Sequence, residues 1–259
     1  MYRAYELKFG ETVFKPDYYA RLKAQARNLF SAYKRQVEEN LARYRIDTTS
    51  IVDGDAVESK WFPKKKFDVF ISHSHRDLEF VGCLALCLRQ KCGLEVFVDS
   101  LVWGYKDDLV NRLYQPEQLI IRNESEKQAL LLGVAAHVDG MLQKSLMEIM
   151  DECETLFFLN TPNSVSAKGV VHKTYSPWLY AELEASKRLR IRIPVRRKQF
   201  STTLFESGIE DKKAEFKIEH NADTGHLSKM DGSIFAKWVN SCTEPRRDQS
   251  LDKLYNMFD

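Results

Sequence analysis

FDVFISHSHRDLEFVGCLALCLRQKCGLEVFVD, residues 67–99, decides the fold. FDVFIS is a near-continuous apolar run of strand length, and LEVFVD is a second. Between them DLEFVGCLALCLRQKC has a helical pattern and is stopped by Gly93. Strands apolar in consecutive positions are covered on both faces, and a strand–helix–strand unit of this length brings its second strand back parallel to the first. The stretch therefore predicts a βαβ unit within a parallel sheet.

Working outward, MLQKSLMEIMDECE (141–154) reads as a helix, TLFFLN (155–160) as a third strand, PWLYAELEASKRL (177–189) as a helix and RIRIPV (190–195) as a short fourth strand. The expected fold class is α/β, a flavodoxin-like doubly wound parallel sheet. Upstream, residues 17–46 place Leu22, Ala26, Leu29, Tyr33, Val37, Leu41 and Tyr44 at steps of three and four, an amphipathic helix. Such a helix packs on its own domain or offers an assembly surface. Residues 46–66 turn polar and punctuated, a linker ending in Lys64, Lys65 and Lys66 that reads as a solvated flank. Residues 115–137 form a long insertion with helical character, 211–220 alternate like an edge strand, and 232–242 and 249–258 look like short helices. The expected division is an N-terminal helical extension and linker (1–65), a main domain (66–200) and a mixed C-terminal extension packed on it (201–259).

The chain has 259 residues, 44% of them hydrophobic, enough for one substantial core. A net charge of +2 gives no electrostatic reason to expect nucleic acid or a membrane as partner. There is no apolar run of membrane-spanning length and no signal-peptide pattern at the start, so the expected location is cytoplasmic. Five cysteines without a CxxC pair argue against a disulfide framework or zinc ribbon and for reduced core thiols.

Ligands of such sheets sit outside the carboxyl ends of the strands. After the first strand come Ser72, His73, Ser74, His75, Arg76 and Asp77. Ser74 and Asp77 fit a capping box. Ser72, His73 and the first helix amides form a polar pocket floor suited to a nucleotide, and His73 with His75 lacks the further ligands a metal site needs. After the second strand, DSLVWGYKDD (99–108) sets Gly104 between Trp103 and Tyr105, an exposed loop whose backbone needs freedom. In SPWLYAELEAS (176–186), at 100° per residue, Glu182 falls inside the apolar arc one turn after Trp178, whereas Glu184 lies on the polar face, four residues before Arg188. A carboxylate in an apolar stripe is costly without a partner or a purpose.

FDVFISHSHRD, LEVFVD with its loop, LFFLNTPNSVS, SPWLYAELEAS and IRIPV, in that order over roughly residues 67–196, closely resemble a TIR (Toll/interleukin-1 receptor) domain of the bacterial type. Many such proteins cleave NAD+ between nicotinamide and ribose. The resemblance implies that Glu182, four residues after Trp178, is the catalytic glutamate, and that Ser72, His73, Ser74, Asp99, Trp103, Gly104, Tyr105 and Trp178 contact NAD+. It matches the family's mobile BB loop to Asp99–Asp107. It further implies NAD+ as substrate with no cofactor or metal, release of ADP-ribose or a cyclic ADP-ribose-type signal, and homo-oligomeric TIR–TIR assembly. An anti-phage, Thoeris-like role would add a downstream effector that senses the nucleotide and a phage-derived trigger. Two other readings stay open: a non-enzymatic TIR scaffold acting by self-association, and a flavodoxin-like electron carrier, which would want a phosphate-cradling loop after the first strand.

Overall fold

The computed structural model describes residues 1–43, 54–61, 65–100, 106–114, 121–168, 171–174, 176–197 and 220–259. The chain forms two compact units, one of Met1–Arg27, Lys66–Asp99 and Ile149–Asp259, the other of Asn28–Lys65 and Ser100–Glu148.

The first unit is built on a five-stranded, all-parallel sheet. Its strands are β1 (Arg3–Lys8), β2 (Val69–Ser72), β3 (Val96–Val98), β4 (Thr155–Leu159) and, far along the chain, β8 (Ser228–Asp231), in the spatial order β3-β2-β4-β1-β8. A separate antiparallel trio joins β5 (Ser166–Lys168), β6 (Val171–Thr174) and β7 (His220–Asn221). The helices are α1 (Pro16–Arg43), α2 (Gly54–Trp61), α3 (Leu78–Cys87), α4 (Lys106–Leu113), α5 (Glu124–Glu152), α6 (Pro177–Arg188), α7 (Gly232–Ser241) and α8 (Arg247–Tyr255). A parallel sheet flanked by helices is an α/β architecture compatible with a flavodoxin-like fold.

The predicted βαβ unit is present. β2 is buried along its whole length, α3 runs on through a π turn (Leu88–Cys92), and Gly93 closes it in the left-handed region at φ 69°. A Cβ on Gly93 would meet the Pro245 carbonyl oxygen at 2.2 Å, so the position admits only glycine.

Three expectations are corrected. RIRIPV is not a strand: residues 190–194 are irregular, Val195–Arg197 is a 3-10 turn, and Ile191 and Val195 are exposed. The place beside β4 belongs instead to β1, whose Tyr5, Glu6 and Leu7 are buried. The N-terminal extension is therefore not solely helical, and the C-terminal extension supplies β8 as well as helices, so the sheet draws on both segments expected to lie outside the 66–200 domain. The third correction concerns the linker, which contains α2.

Register assigns the faces of the sheet. Ser72, Phe158, Glu6 and Lys229 occupy one row across β2, β4, β1 and β8, so their side chains share a face. Ile71, Phe157 and Tyr5 share the other, where the Phe157 ring meets Trp238 of α7 at 5.9 Å.

The second unit is helical among its described residues. Glu58 of α2 accepts from Lys144 Nζ at 3.0 Å and from Ser145 Oγ at 2.8 Å on α5, and Lys106 of α4 pairs with Asp139 at 2.6 Å. Residues 124–137 of the expected insertion belong to the same 29-residue helix as 141–152. The 211–219 part of the expected edge strand lies outside the described residues; His220 at its end is in β7.

Candidate active site

The strand order reverses direction between β2 and β4, and the residues leaving the carboxyl ends of β2 and β3 gather there. Ser72 is the last residue of β2, His73 follows it, and Asp99 follows β3. All three are buried, as is Glu182 at 4% exposure.

Helix α6 delivers Glu182 to this edge. Ser176 caps the helix by accepting from Leu179 N at 3.3 Å, and Pro177 suits a first-turn position that needs no N–H donor. The buried face of α6 is Leu179, Glu182, Leu183, Ala185 and Ser186. Glu182 lies among the apolar residues as expected, with Leu179, Leu183 and Ala185 of the expected arc, whereas Ala181 and Leu189 of that arc are only half-buried and Ser186 was not expected there. Glu184 faces away, pairing with Lys187 at 2.6 Å and with Arg188 at 3.4 Å.

Ser72 Oγ donates to Glu182 Oε2 at 2.5 Å. Glu182 Oε1 is sealed from solvent and has no hydrogen-bond partner among the described residues. Burial, and then the neighbouring Asp99 charge, push the Glu182 carboxyl well above the usual carboxylate range; the Ser72 bond opposes this and does not prevail. His73 Nδ1 lies 2.8 Å from Asp99 Oδ1 and 3.2 Å from the Ile71 carbonyl oxygen. Burial alone would lower the His73 pKa, yet the Asp99 carboxylate and the Ile71 carbonyl together raise it.

The other expected site residues divide. Trp178 is half-buried on the turn of α6 before Glu182. Ser74 is held in its own turn, accepting from Arg76 N at 3.4 Å. Its expected capping box with Asp77 does not form, because the Asp77 side chain turns to the loop after β4, where it accepts from Thr161 Oγ1 at 2.6 Å and Asn163 Nδ2 at 2.7 Å. Those two bonds tie the loops after β2 and β4 together. His75 is exposed while His73 is buried, so the two histidines face different surroundings. Trp103, Gly104 and Tyr105 lie outside the described residues.

A second polar group on the same face was not foreseen. Glu6, fully buried on β1, accepts from Asn160 Nδ2, from Lys229 Nζ and, at 3.1 Å, from Thr224 Oγ1. Burial would raise its pKa, and the Lys229 and Asn160 bonds bring it below the usual value instead. The signal available in the sequence was a lone glutamate between Tyr5 and Leu7, legible only once RAYELK is read as a strand.

Among the described residues no helix is long and apolar enough to cross a membrane, and no group of three or more His, Cys, Asp or Glu side chains could hold a metal ion. No family model, curated protein or solved structure matches the chain.

Proposed function

We propose that this chain is a TIR-type enzyme that cleaves the nicotinamide–ribose bond of NAD+, with Glu182 as its catalytic residue. The observation that carries the reading is Glu182 itself: a carboxyl group inside an apolar helix face, one oxygen on Ser72 and the other unsatisfied, at the sheet edge where α/β folds bind ligands. A buried polar atom without a partner costs stability, and a substrate hydroxyl would relieve that cost.

The chemistry suits a single catalytic carboxylate. Nicotinamide leaves a cationic pyridinium as a neutral base, so no general acid is needed, unlike ordinary glycoside hydrolysis. Glu182 holds the ribose hydroxyls and offsets the positive charge that develops on the ribose as the bond breaks, in a site kept dry by Trp178 and the apolar face of α6. Attack by water gives ADP-ribose; attack by an atom of the same molecule gives a cyclic isomer able to serve as a signal in anti-phage defence. The alternative of a non-enzymatic assembly module leaves the buried, half-satisfied carboxyl group without a role.

The test is nicotinamide release from NAD+, followed by chromatography with mass detection, using protein from cells with and without phage challenge. Glu182→Gln is expected to lower the rate by about 100-fold or more. A variant as fast as the parent refutes the assignment.

A further inference from the structure

The loop after β4 is gripped from both sides. On the β1 side, Asn160 Nδ2 donates to the buried Glu6, and Asn160 N extends the ladder by donating to the Leu7 carbonyl oxygen at 2.9 Å. On the β2 side, Asp77 accepts from Thr161 Oγ1 at 2.6 Å and from Asn163 Nδ2 at 2.7 Å, so both of its oxygens are engaged. The loop also closes on itself. Asn163 N donates to Thr161 Oγ1 at 3.2 Å, Thr161 N to Ser164 Oγ at 2.8 Å, and Ser164 N and Val165 N to the Thr161 carbonyl oxygen at 3.0 Å. Pro162 has no N–H, so every backbone donor from Asn160 to Val165 is already engaged.

This bonding fixes what the loop can offer a ligand. A carboxylate only accepts, so Glu6 and Asp77 each hold the nitrogen end of an asparagine amide and turn its oxygen outward. Neither Asn160 Oδ1 nor Asn163 Oδ1 takes a hydrogen bond among the described residues. With no backbone N–H to spare, the loop is a poor host for a phosphate and a good one for a hydroxyl, which can donate. Asn160 comes two residues after Phe158, the register partner of Ser72, and so lies on the Ser72 face, about 8 Å from Ser72 by strand spacing and rise. One nucleotide can reach both Glu182 and Asn160 over that span.

We propose that the loop after β4 is a ligand platform on which Asn160 Oδ1 accepts from a ribose hydroxyl, with Glu6 and Asp77 as the positioning residues that fix it from either side. Resting on the reading of the chain as an NAD+-cleaving enzyme, the platform takes a hydroxyl that Glu182 does not, and serves substrate binding rather than bond breaking. Glu6 then has a use beyond joining β1 to β8: it orients the amide of Asn160.

Amide hydrogen exchange on the full-length parent is the first test. The amides of residues 161 and 163–165 are expected to be protected, and exchange at the rate of an open loop overturns the platform whether or not any variant folds. NAD+ binding is then followed as KM if nicotinamide is released, and as Kd by calorimetry if it is not. Asn160→Ala and Asp77→Asn are each expected to weaken binding about five- to tenfold, with kcat within about twofold of the parent. Combining Asp77→Asn with Asn163→Asp sets a donor opposite an acceptor again, and should bring binding back to within about twofold. Single variants that bind NAD+ as tightly as the parent, or a combined variant that does not recover, overturn the platform and leave the enzymatic reading standing. A parent whose binding responds as expected but which never releases nicotinamide sustains the platform and refutes the enzymatic reading. A parent that neither binds nor cleaves NAD+ overturns both.

Discussion

Glu182 makes the folded state more expensive as the solution becomes more alkaline. Its folded pKa lies above the ordinary 4.5. The native protein therefore keeps a proton that the unfolded chain has lost, and the associated stability, full below that value, drains away as pH rises toward the folded pKa. His73, raised from 6.5, adds a fall of the same sign beginning higher on the scale. Replacing Glu182 with Gln keeps the shape and removes the charge. The variant should melt higher than the parent near about pH 8, by a few degrees at about 2–4 °C per kcal/mol, with a flatter dependence on pH. Differential scanning calorimetry across pH checks this, and equal slopes would show that the carboxyl group titrates as an ordinary surface acid. The sequence exposed the oddity of Glu182 because helical periodicity can be counted residue by residue. It could not show Asp99 and His73 as partners, since their meeting depends on the lateral spacing of β2 and β3.

At the scale of elements, runs holding three or more consecutive apolar residues were legible and a short run broken by a charge near its centre was not. FDVFIS, LEVFVD and TLFFLN announced themselves as strands covered on both faces. RAYELK did not, because Glu6 stands where a central strand would carry valine or isoleucine. RIRIPV showed the opposite fault: its alternation suits a strand, but its Arg192 and the two arginines just after it, Arg196 and Arg197, are claimed elsewhere. Arg192 pairs with Asp151, and Arg196 and Arg197 reach Glu154, Asp252 and Asp259. The Glu6–Lys229 pair now joins β1 to β8 side by side in one register row. Lys229→Ala removes the nearer of the two cations on buried Glu6, leaving Lys8 at 3.6 Å, with Asn160 and Thr224 still donating to it. The expected loss is about 1–3 kcal/mol, measured by urea unfolding, with the effect shrinking as the solution is acidified and Glu6 takes up a proton. A loss that ignores pH would mean that Lys229 acts through its aliphatic stem.

For the whole molecule, the segment that resembles a known domain is not the segment that completes the sheet. A fragment of residues 66–200 would keep β2, β3 and β4 but lack β1 and β8, exposing the edge of β4 and the apolar residues packed around it. That fragment should be poorly soluble and without a cooperative melting transition, whereas the full chain should show both solubility and cooperativity. Circular dichroism on the two would decide, and a cooperative 66–200 fragment would return β1 and β8 to the status of additions. The placement of β1 also bears on how the protein is made. Arg3 leaves the ribosome about 150 residues ahead of its neighbour Thr155, and its other flank, β8, is synthesised later still. Through most of translation β1 is a strand without a sheet, so its pairing is a late, long-range closure of the kind that folds slowly and rewards a chaperone. Glu6, inconvenient in the finished interior, is in that interval a charge that discourages the waiting strand from pairing with the wrong chain.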